Sequence, residues 1–353
     1  MKILIIQQKM IGDVLATSIL FEALKHKYPD AQLHYVINSH TYAVVENNPF
    51  ISQFHFFTPE HENSKQKLVQ FAKQLQNENF DVVIDVYSKF SSNIISYYSK
   101  AKTKISKYKY YTSFIYSHTF KDAKTPQTNA GLAIENRLQL LEPLAINTSK
   151  IVNPKIYLSI DEKKNAKLFL ESNGIDLSKP VFMIGVLGSG INKTYPFEYM
   201  AKVIDLIVLE QPKSQVLFNY IPNQEADAKA ILELCKPETK THVFFEVFGK
   251  SLRDFLAITS HCTALIGNEG GATNMAKALQ IPTFTIFSTW IKKEAWNMFD
   301  DGNKHVSVHL KDFNPNLYSG LSKKEMKRNA LKLYKAFKPE FFRIQLKQYL
   351  SQF

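Results

Sequence analysis

Apolar positions along the chain repeat with two periods. Residues 3–6 are an unbroken run of isoleucine and leucine inside KILIIQ (2–7), the pattern of a strand covered on both faces. A polar loop with a glycine follows over 8–13. From 14 to 28, Val14, Leu15, Ile19, Leu20, Ala23 and Leu24 recur at helical spacing. Pro29-Asp30 ends that helix, and 32–38 reads as a second strand, completing a βαβ unit. The alternation continues with a strand over 54–57, a helix over 64–77, a strand over 80–86 and helical periodicity over 130–144. The stretch 88–128 breaks this rhythm. Tyrosines and serines there are interleaved with Lys100, Lys102, Lys104, Lys107, Lys109, Lys121 and Lys124.

Residues 147–161 have low helical propensity and contain Pro154, and a domain boundary is expected within 159–180. A helix over 163–173 has Gly174 just past its end. Strands are expected over 181–186, 215–220, 241–246, 264–267 and 283–287, with helices over 197–210, 224–234, 252–260 and 271–279 between them. From 322 onward the chain reads as lysine-rich helical segments broken at Pro339. Two successive βα runs predict an α/β fold of two Rossmann-like, doubly wound parallel-sheet domains, 1–165 and 175–322. Helices in 325–353 are expected to return to the first domain. Ligands of such sheets bind beyond the carboxyl ends of the strands, so the cleft between the domains is the default site.

Composition narrows the classes. With 45% hydrophobic residues, the chain has enough apolar side chains for sizeable cores, which excludes disorder as its main state. The two cysteines, Cys235 and Cys262, cannot make a disulfide scaffold or a CxxC motif, which suits a reducing, cytoplasmic setting. No stretch reaches the ~20 apolar residues of a membrane span, and the apolar N-terminus is too short for a signal peptide. The net charge of +12 comes almost wholly from lysine, since the arginines are only Arg137, Arg253, Arg328 and Arg343. Lysine is a point charge suited to phosphates, anionic headgroups and acidic glycans, whereas base reading leans on arginine forks. With no helix-turn-helix, RNP motif or zinc finger, a nucleic-acid partner is not expected.

Three loops could carry chemistry. Gly12-Asp13 opens the first helix after the first strand, so Asp13 reads either as a helix cap or as a general base. Gly188–Pro196 contains Ser189, Gly190, Lys193 and Thr194; it is either a plain turn or a phosphate cradle, and it fits neither a Walker A nor a GxGxxG pattern. Gly267–Asn274 places Gly270 and Gly271 at a helix N-terminus, which suits either tight packing or an anion on free N–H groups. No HExxH, GxSxG or paired zinc motif is present, and no metal site is expected.

Taken in order, these residues resemble glycosyltransferase family 9, the ADP-heptose:lipopolysaccharide heptosyltransferases. The opening strand leads to Gly12-Asp13 and Val14-Leu15-Ala16-Thr17; the middle loop ends in Lys193, two residues and Pro196. Residues 266–282 match a region usually written Asn-Asp-Ser-Gly-Pro-x-His before an Ala-rich helix and a Pro-Thr strand. The resemblance spans 1–290. It implies the GT-B architecture and an inverting transfer of heptose from ADP-heptose, without a tightly bound metal or cofactor. The acceptor it implies is a lipopolysaccharide core or related surface glycan.

Carried over by residue, the resemblance makes Asp13 the base on the acceptor hydroxyl and Lys193 the counter-charge of the donor diphosphate. Glu225 would contact ribose hydroxyls, and Gly270, Gly271 and Ala272 would offer backbone amides. Gly12, Ser189, Gly190, Thr194, Glu269 and Asn274 complete the implied donor group. Lys100, Lys102, Lys104 and Lys107 would meet an anionic lipid-linked saccharide at the cytoplasmic face of the inner membrane, with the enzyme peripheral to it. The pattern's Asp, Ser, Pro and His are here Glu269, Gly270, Ala272 and Asn274. Asn274 donates only neutral hydrogen bonds where a histidine can be a cation, so donor sugar and nucleotide stay open. A sugar-nucleotide epimerase and a non-catalytic glycan- or lipid-binding protein are the alternative readings.

Overall fold

The computed structural model describes residues 1–148 and 153–353. Residues 149–152, within the low-propensity stretch, lie outside the described residues. The chain divides into two compact units, Met1–Tyr157 and Leu158–Phe353.

The first unit is built on β1 (Lys2–Ile6), β2 (Gln32–Asn38), β3 (Gln53–Phe57), β4 (Val82–Asp85), β5 (Thr103–Lys107) and β6 (His118–Phe120). They form one sheet in the order β3-β2-β1-β4-β5-β6, with every pairing parallel. β1 is central, and Ile3 to Ile6 have no exposed surface, as an uninterrupted apolar run requires. The strand order reverses between β1 and β4, so the loops leaving those two strands flank the crevice where such sheets bind ligands. The lysine- and tyrosine-rich stretch hides β5, β6 and the helix Phe90–Tyr98. Only Ile105 and Ser106 of β5 are buried, so its apolar signal is one residue long.

The second unit is built on β7 (Val181–Gly185), β8 (Gln215–Phe218), β9 (Ala264–Asn268), β10 (Thr283–Ile286) and β11 (His305–Val308). The sheet order is β11-β10-β9-β7-β8, again all parallel, and it reverses between β7 and β9. The strand expected over 241–246 is absent; only an isolated bridge from Val216 to Val243 remains there. The sequence reading misses β11, a short edge strand.

Two boundaries differ from expectation. The helix Ile160–Ser172 belongs to the second unit, because Arg253 on the helix Leu252–Thr259 grips Glu162 with Nε and Nη2, each 2.6 Å from a carboxylate oxygen. The C-terminal helices also pack within the second unit, not the first. Phe337, Phe342, Leu346, Tyr349 and Leu350 share one core with Phe182, Tyr195 and Phe284. The Tyr195 hydroxyl donates to the Phe337 carbonyl at 2.5 Å. No helix among the described residues is long and apolar enough to cross a membrane.

Gly267 sits in β9 at φ +140, where a side chain is strained, and a Cβ there would collide with the Gly185 carbonyl on β7. Gly267→Ala is expected to lower stability by about 3 kcal/mol in urea unfolding. Gly190→Ala, with open space around its Cβ position, should stay within about 0.5 kcal/mol of the parent.

Candidate active site

In the first unit, the loop after β1 leads into the helix Ile11–Thr17. Met10 holds the N-cap position and Asp13 is the third helical residue, so Asp13 is not the cap. Its negative charge in the first turn is still favoured by the helix dipole. The Asp13 side chain is 27% exposed, and its Oδ1 accepts from Arg137 Nη2 at 2.6 Å. Arg137 is itself buried, on the helix Leu132–Leu138. Its Nε donates to Thr17 Oγ1 at 2.9 Å and its Nη1 to the Ala133 carbonyl at 2.5 Å. The guanidinium therefore fixes one carboxylate oxygen of Asp13 while the group stays partly open to solvent. Sequence reasoning missed Arg137; one of few arginines in a lysine-rich chain was the available signal.

Asp85, at the carboxyl end of β4, is fully buried. Burial raises its carboxyl above the usual carboxylate range, and hydrogen bonds from Tyr116 (2.6 Å) and the Ser88 N–H (2.7 Å) oppose that shift. These bonds, with Lys109 Nζ on the Ser88 carbonyl, tie the β5–β6 connection to the loop after β4.

The four lysines expected to meet the acceptor are not one group. Lys100 and Lys102 precede β5, at the amino end of the parallel sheet, whereas Asp13 follows the carboxyl end of β1. Lys104 and Lys107 lie on opposite faces of β5, since strand side chains alternate, and Lys107 pairs with Asp122 at 3.3 Å. Lys109 and Lys121 also follow the carboxyl ends of strands, the latter 5.3 Å over the Tyr108 ring.

In the second unit, the loops leaving β7 and β9 lie side by side, as their register pairs Gly185 with Gly267. Asn268 joins them: its Nδ2 donates to the Gly185 and Val186 carbonyls at 2.9 and 3.0 Å, and its Oδ1 accepts from the Tyr195 N–H at 2.7 Å. The loop folds back so tightly that a Cβ on Gly188 would strike the Lys193 carbonyl. Thr194 Oγ1 accepts from the Gly188 N–H at 3.1 Å and donates to the Gly190 carbonyl at 3.0 Å, so Thr194 shapes the loop. Gln224 donates to the Gly188 carbonyl at 3.0 Å, which sets the start of the helix Glu225–Leu234 beside the same loop. Glu225 and Ser189 are exposed there.

Lys193 Nζ lies 3.6 Å from Glu269 Oε1 and 6.0 Å from the centre of the Trp290 ring. The indole N–H of Trp290 donates to the Asn192 carbonyl at 2.8 Å. The Glu269 side chain is 9% exposed; burial raises its carboxyl above the usual range and Lys193 opposes the shift. The helix Gly271–Ala278 starts one residue after Gly270, which has open space where a Cβ would be, and Ala272 and Asn274 are half-buried in its first turn. The first N–H groups of a helix have no intrahelical acceptor, so this end offers donors to an anion. Lys193, Gly190, Thr194, Glu269, Gly270, Gly271, Ala272 and Asn274 thus sit on the two loops at the strand-order reversal. Sequence reasoning did not assign Asn268 or Trp290 a role, because each acts through contacts distant in sequence.

Two parallel-sheet α/β domains, each with its loops at a strand-order reversal, match the GT-B architecture of solved heptosyltransferase structures. Residues 68–313 match the model of glycosyltransferase family 9 (heptosyltransferase), and the chain belongs to that family of glycosyltransferases. The match includes Lys193, Glu225 and 269–274 and leaves Asp13 outside. Lipopolysaccharide heptosyltransferase 1 of Campylobacter coli is 25% identical over 296 residues, 81% of this chain and 84% of that protein. A family 9 glycosyl transferase structure from Veillonella parvula has a TM-score of 0.77 at 15% identity, covering 100% of this chain and 97% of that one. The Escherichia coli heptosyltransferase WaaC with ADP-2-deoxy-2-fluoro heptose has a TM-score of 0.64 at 16% identity, covering 95% and 99%.

Removing the Arg137 guanidinium would take a donor from Asp13 Oδ1 and from Thr17 Oγ1 and leave a cavity where it is buried. Arg137→Ala is expected to cost about 3 kcal/mol in urea unfolding. Lys67→Ala, at an exposed ion pair with Glu60, should leave the unfolding midpoint nearly unchanged.

Proposed function

We propose that this glycosyltransferase moves heptose from ADP-heptose onto a lipopolysaccharide core or related surface glycan. The observation that carries the reading is Lys193 and the open helix start at Gly271, held on adjoining loops within the span of the family match. The E. coli neighbour's bound ADP-2-deoxy-2-fluoro heptose supports the choice of donor. In the proposed reaction Asp13 accepts the proton of the acceptor hydroxyl. The freed oxygen attacks the anomeric carbon as its bond to the diphosphate breaks. The electron pair leaves with the nucleoside diphosphate, and the anomeric carbon inverts. Lys193 and the amides of Gly271 and Ala272 meet the charge that develops on the leaving group, so the counter-charge comes from the protein rather than from a metal. Arg137 holds Asp13 oriented for one proton transfer.

Asp13→Asn is expected to lower kcat by about 10²–10⁴-fold with little change in donor affinity. Lys193→Ala should instead weaken donor binding about 10–100-fold. Transfer assays with ADP-heptose and a truncated lipopolysaccharide, paired with calorimetric titration of ADP, separate the two. Unchanged turnover in Asp13→Asn would remove the base assignment.

The reading includes peripheral work at the cytoplasmic face of the inner membrane, where a lipid-linked acceptor resides. It is supported by the connection between β5 and β6. Tyr110, Phe114 and Tyr111 there are 86%, 80% and 68% exposed, with Lys109 next to Tyr110 in the chain and Lys121 over the Tyr108 ring. Aromatic rings and lysines together suit an anionic lipid interface. Flotation should show the protein on phosphatidylglycerol vesicles and not on phosphatidylcholine vesicles. Replacing Tyr110, Tyr111 and Phe114 by Ser should reduce that binding at least about fivefold. Equal flotation of the triple variant would exclude this loop as the contact.

A further inference from the structure

We infer that Glu269 is the resident counter-ion of Lys193, and that it takes up a proton when a donor diphosphate replaces it there. The inference rests on the donor reading above. Glu269 follows β9 directly, and its Oε1 is buried, accepts no hydrogen bond and lies 3.6 Å from Lys193 Nζ. A carboxylate nearly withdrawn from water and without hydrogen bonds to that oxygen depends on the neighbouring ammonium for its charge. The Tyr334 hydroxyl, from the helix Ala330–Ala336, also faces it, its ionisation opposed by burial and then by the Glu269 charge, and Lys327 lies 5.2 Å over the Trp290 ring that Lys193 also approaches. On its own segment, the start of the helix Gly271–Ala278 supplies backbone dipoles.

A donor diphosphate brings negative charge to both of these supports. It competes for Lys193, and it competes for the helix start. Glu269 then loses its counter-ion and gains like charges in a nearly dry position. Both changes favour the neutral acid, in the same direction as burial. The balance is simple: one proton from solvent joins a Glu269 oxygen, and Lys193 keeps its own. The neutral acid carries an O–H that can donate to a phosphate oxygen, which a carboxylate cannot do. When the nucleotide leaves, Glu269 returns the proton to water and pairs with Lys193 again. The sign follows from linkage: a complex that binds more protons than the free protein tightens as pH falls. The effect spans the interval between the Glu269 pKa in the free site and its higher value in the complex.

The test is calorimetric titration of the full chain with ADP-ribose at pH 7, in buffers of different ionisation enthalpy. Both phosphates of ADP-ribose are esterified, so the probe itself does not titrate near neutrality. The expected result is uptake approaching one proton per nucleotide bound. Glu269→Gln should take up none and should bind about tenfold more tightly than the parent at pH 8, because it pays no protonation cost. Glu269→Asp should keep the uptake. The parent result needs no variant, so a misfolded substitution does not decide the matter. Binding with no net proton change, or equal uptake in Glu269→Gln, overturns the inference and leaves the donor reading intact. No binding of ADP-ribose at any pH from 6 to 8 overturns the donor reading and the inference with it.

Discussion

At the carboxyl end of the second sheet, β7 and β9 approach so closely that Gly267 has no room for a methyl group beside the Gly185 carbonyl. Everything proposed for the donor hangs on that approach. It sets the two loops side by side, and Asn268 then bonds across the gap to three backbone groups. A buried amide with its hydrogen bonds satisfied is costly to move, so the loop that carries Lys193 has a fixed origin. Gly188 and Thr194 close the loop on itself, and Lys193 emerges beside Glu269 and Trp290. Rigid strands with short, stitched loops are what an electrostatic site needs, because its donors must already point where charge will develop.

Asp13 and Glu269 have contrasting surroundings, which suit the separate tasks proposed for them. Asp13 is partly open to water, and a buried guanidinium holds one of its oxygens. Glu269 is nearly enclosed, faces a single ammonium and leaves Oε1 without a hydrogen bond. The first arrangement leaves the group oriented and partly open to solvent. The second makes the charge conditional on what its neighbour is doing. Such differences in desolvation and pairing are how one kind of side chain serves separate tasks.

Much of the architecture was legible in the chain itself. The runs 3–6 and 181–186 are apolar because both faces of a central parallel strand are covered, so period and burial coincide. The loops at Asp13, Lys193 and Gly270 each had a plain structural reading, as cap, turn or packing, and stood out only as an ordered set after such strands. Elements at or next to the sheet edges were harder to read. β5, β6 and β11 are short, and their apolar pattern is diluted by lysine, serine and histidine.

Sequence alone determined the fold class, the family resemblance and the loops proposed to carry the chemistry, because these follow from local periodicity and from residue types at fixed spacing. Tertiary structure alone decided the partners. Arg137 meets Asp13 from 124 positions away, and Asn268 reaches Val186 across 82. Lys100 and Lys102 fall at the opposite end of the sheet from Asp13, although the sequence groups them with Lys107. The C-terminal helices join the second core because Phe342, Leu346 and Tyr349 find apolar partners there. Contacts of that kind depend on how sheets and helices are stacked, and pairing between distant positions leaves no period in a single chain to be read.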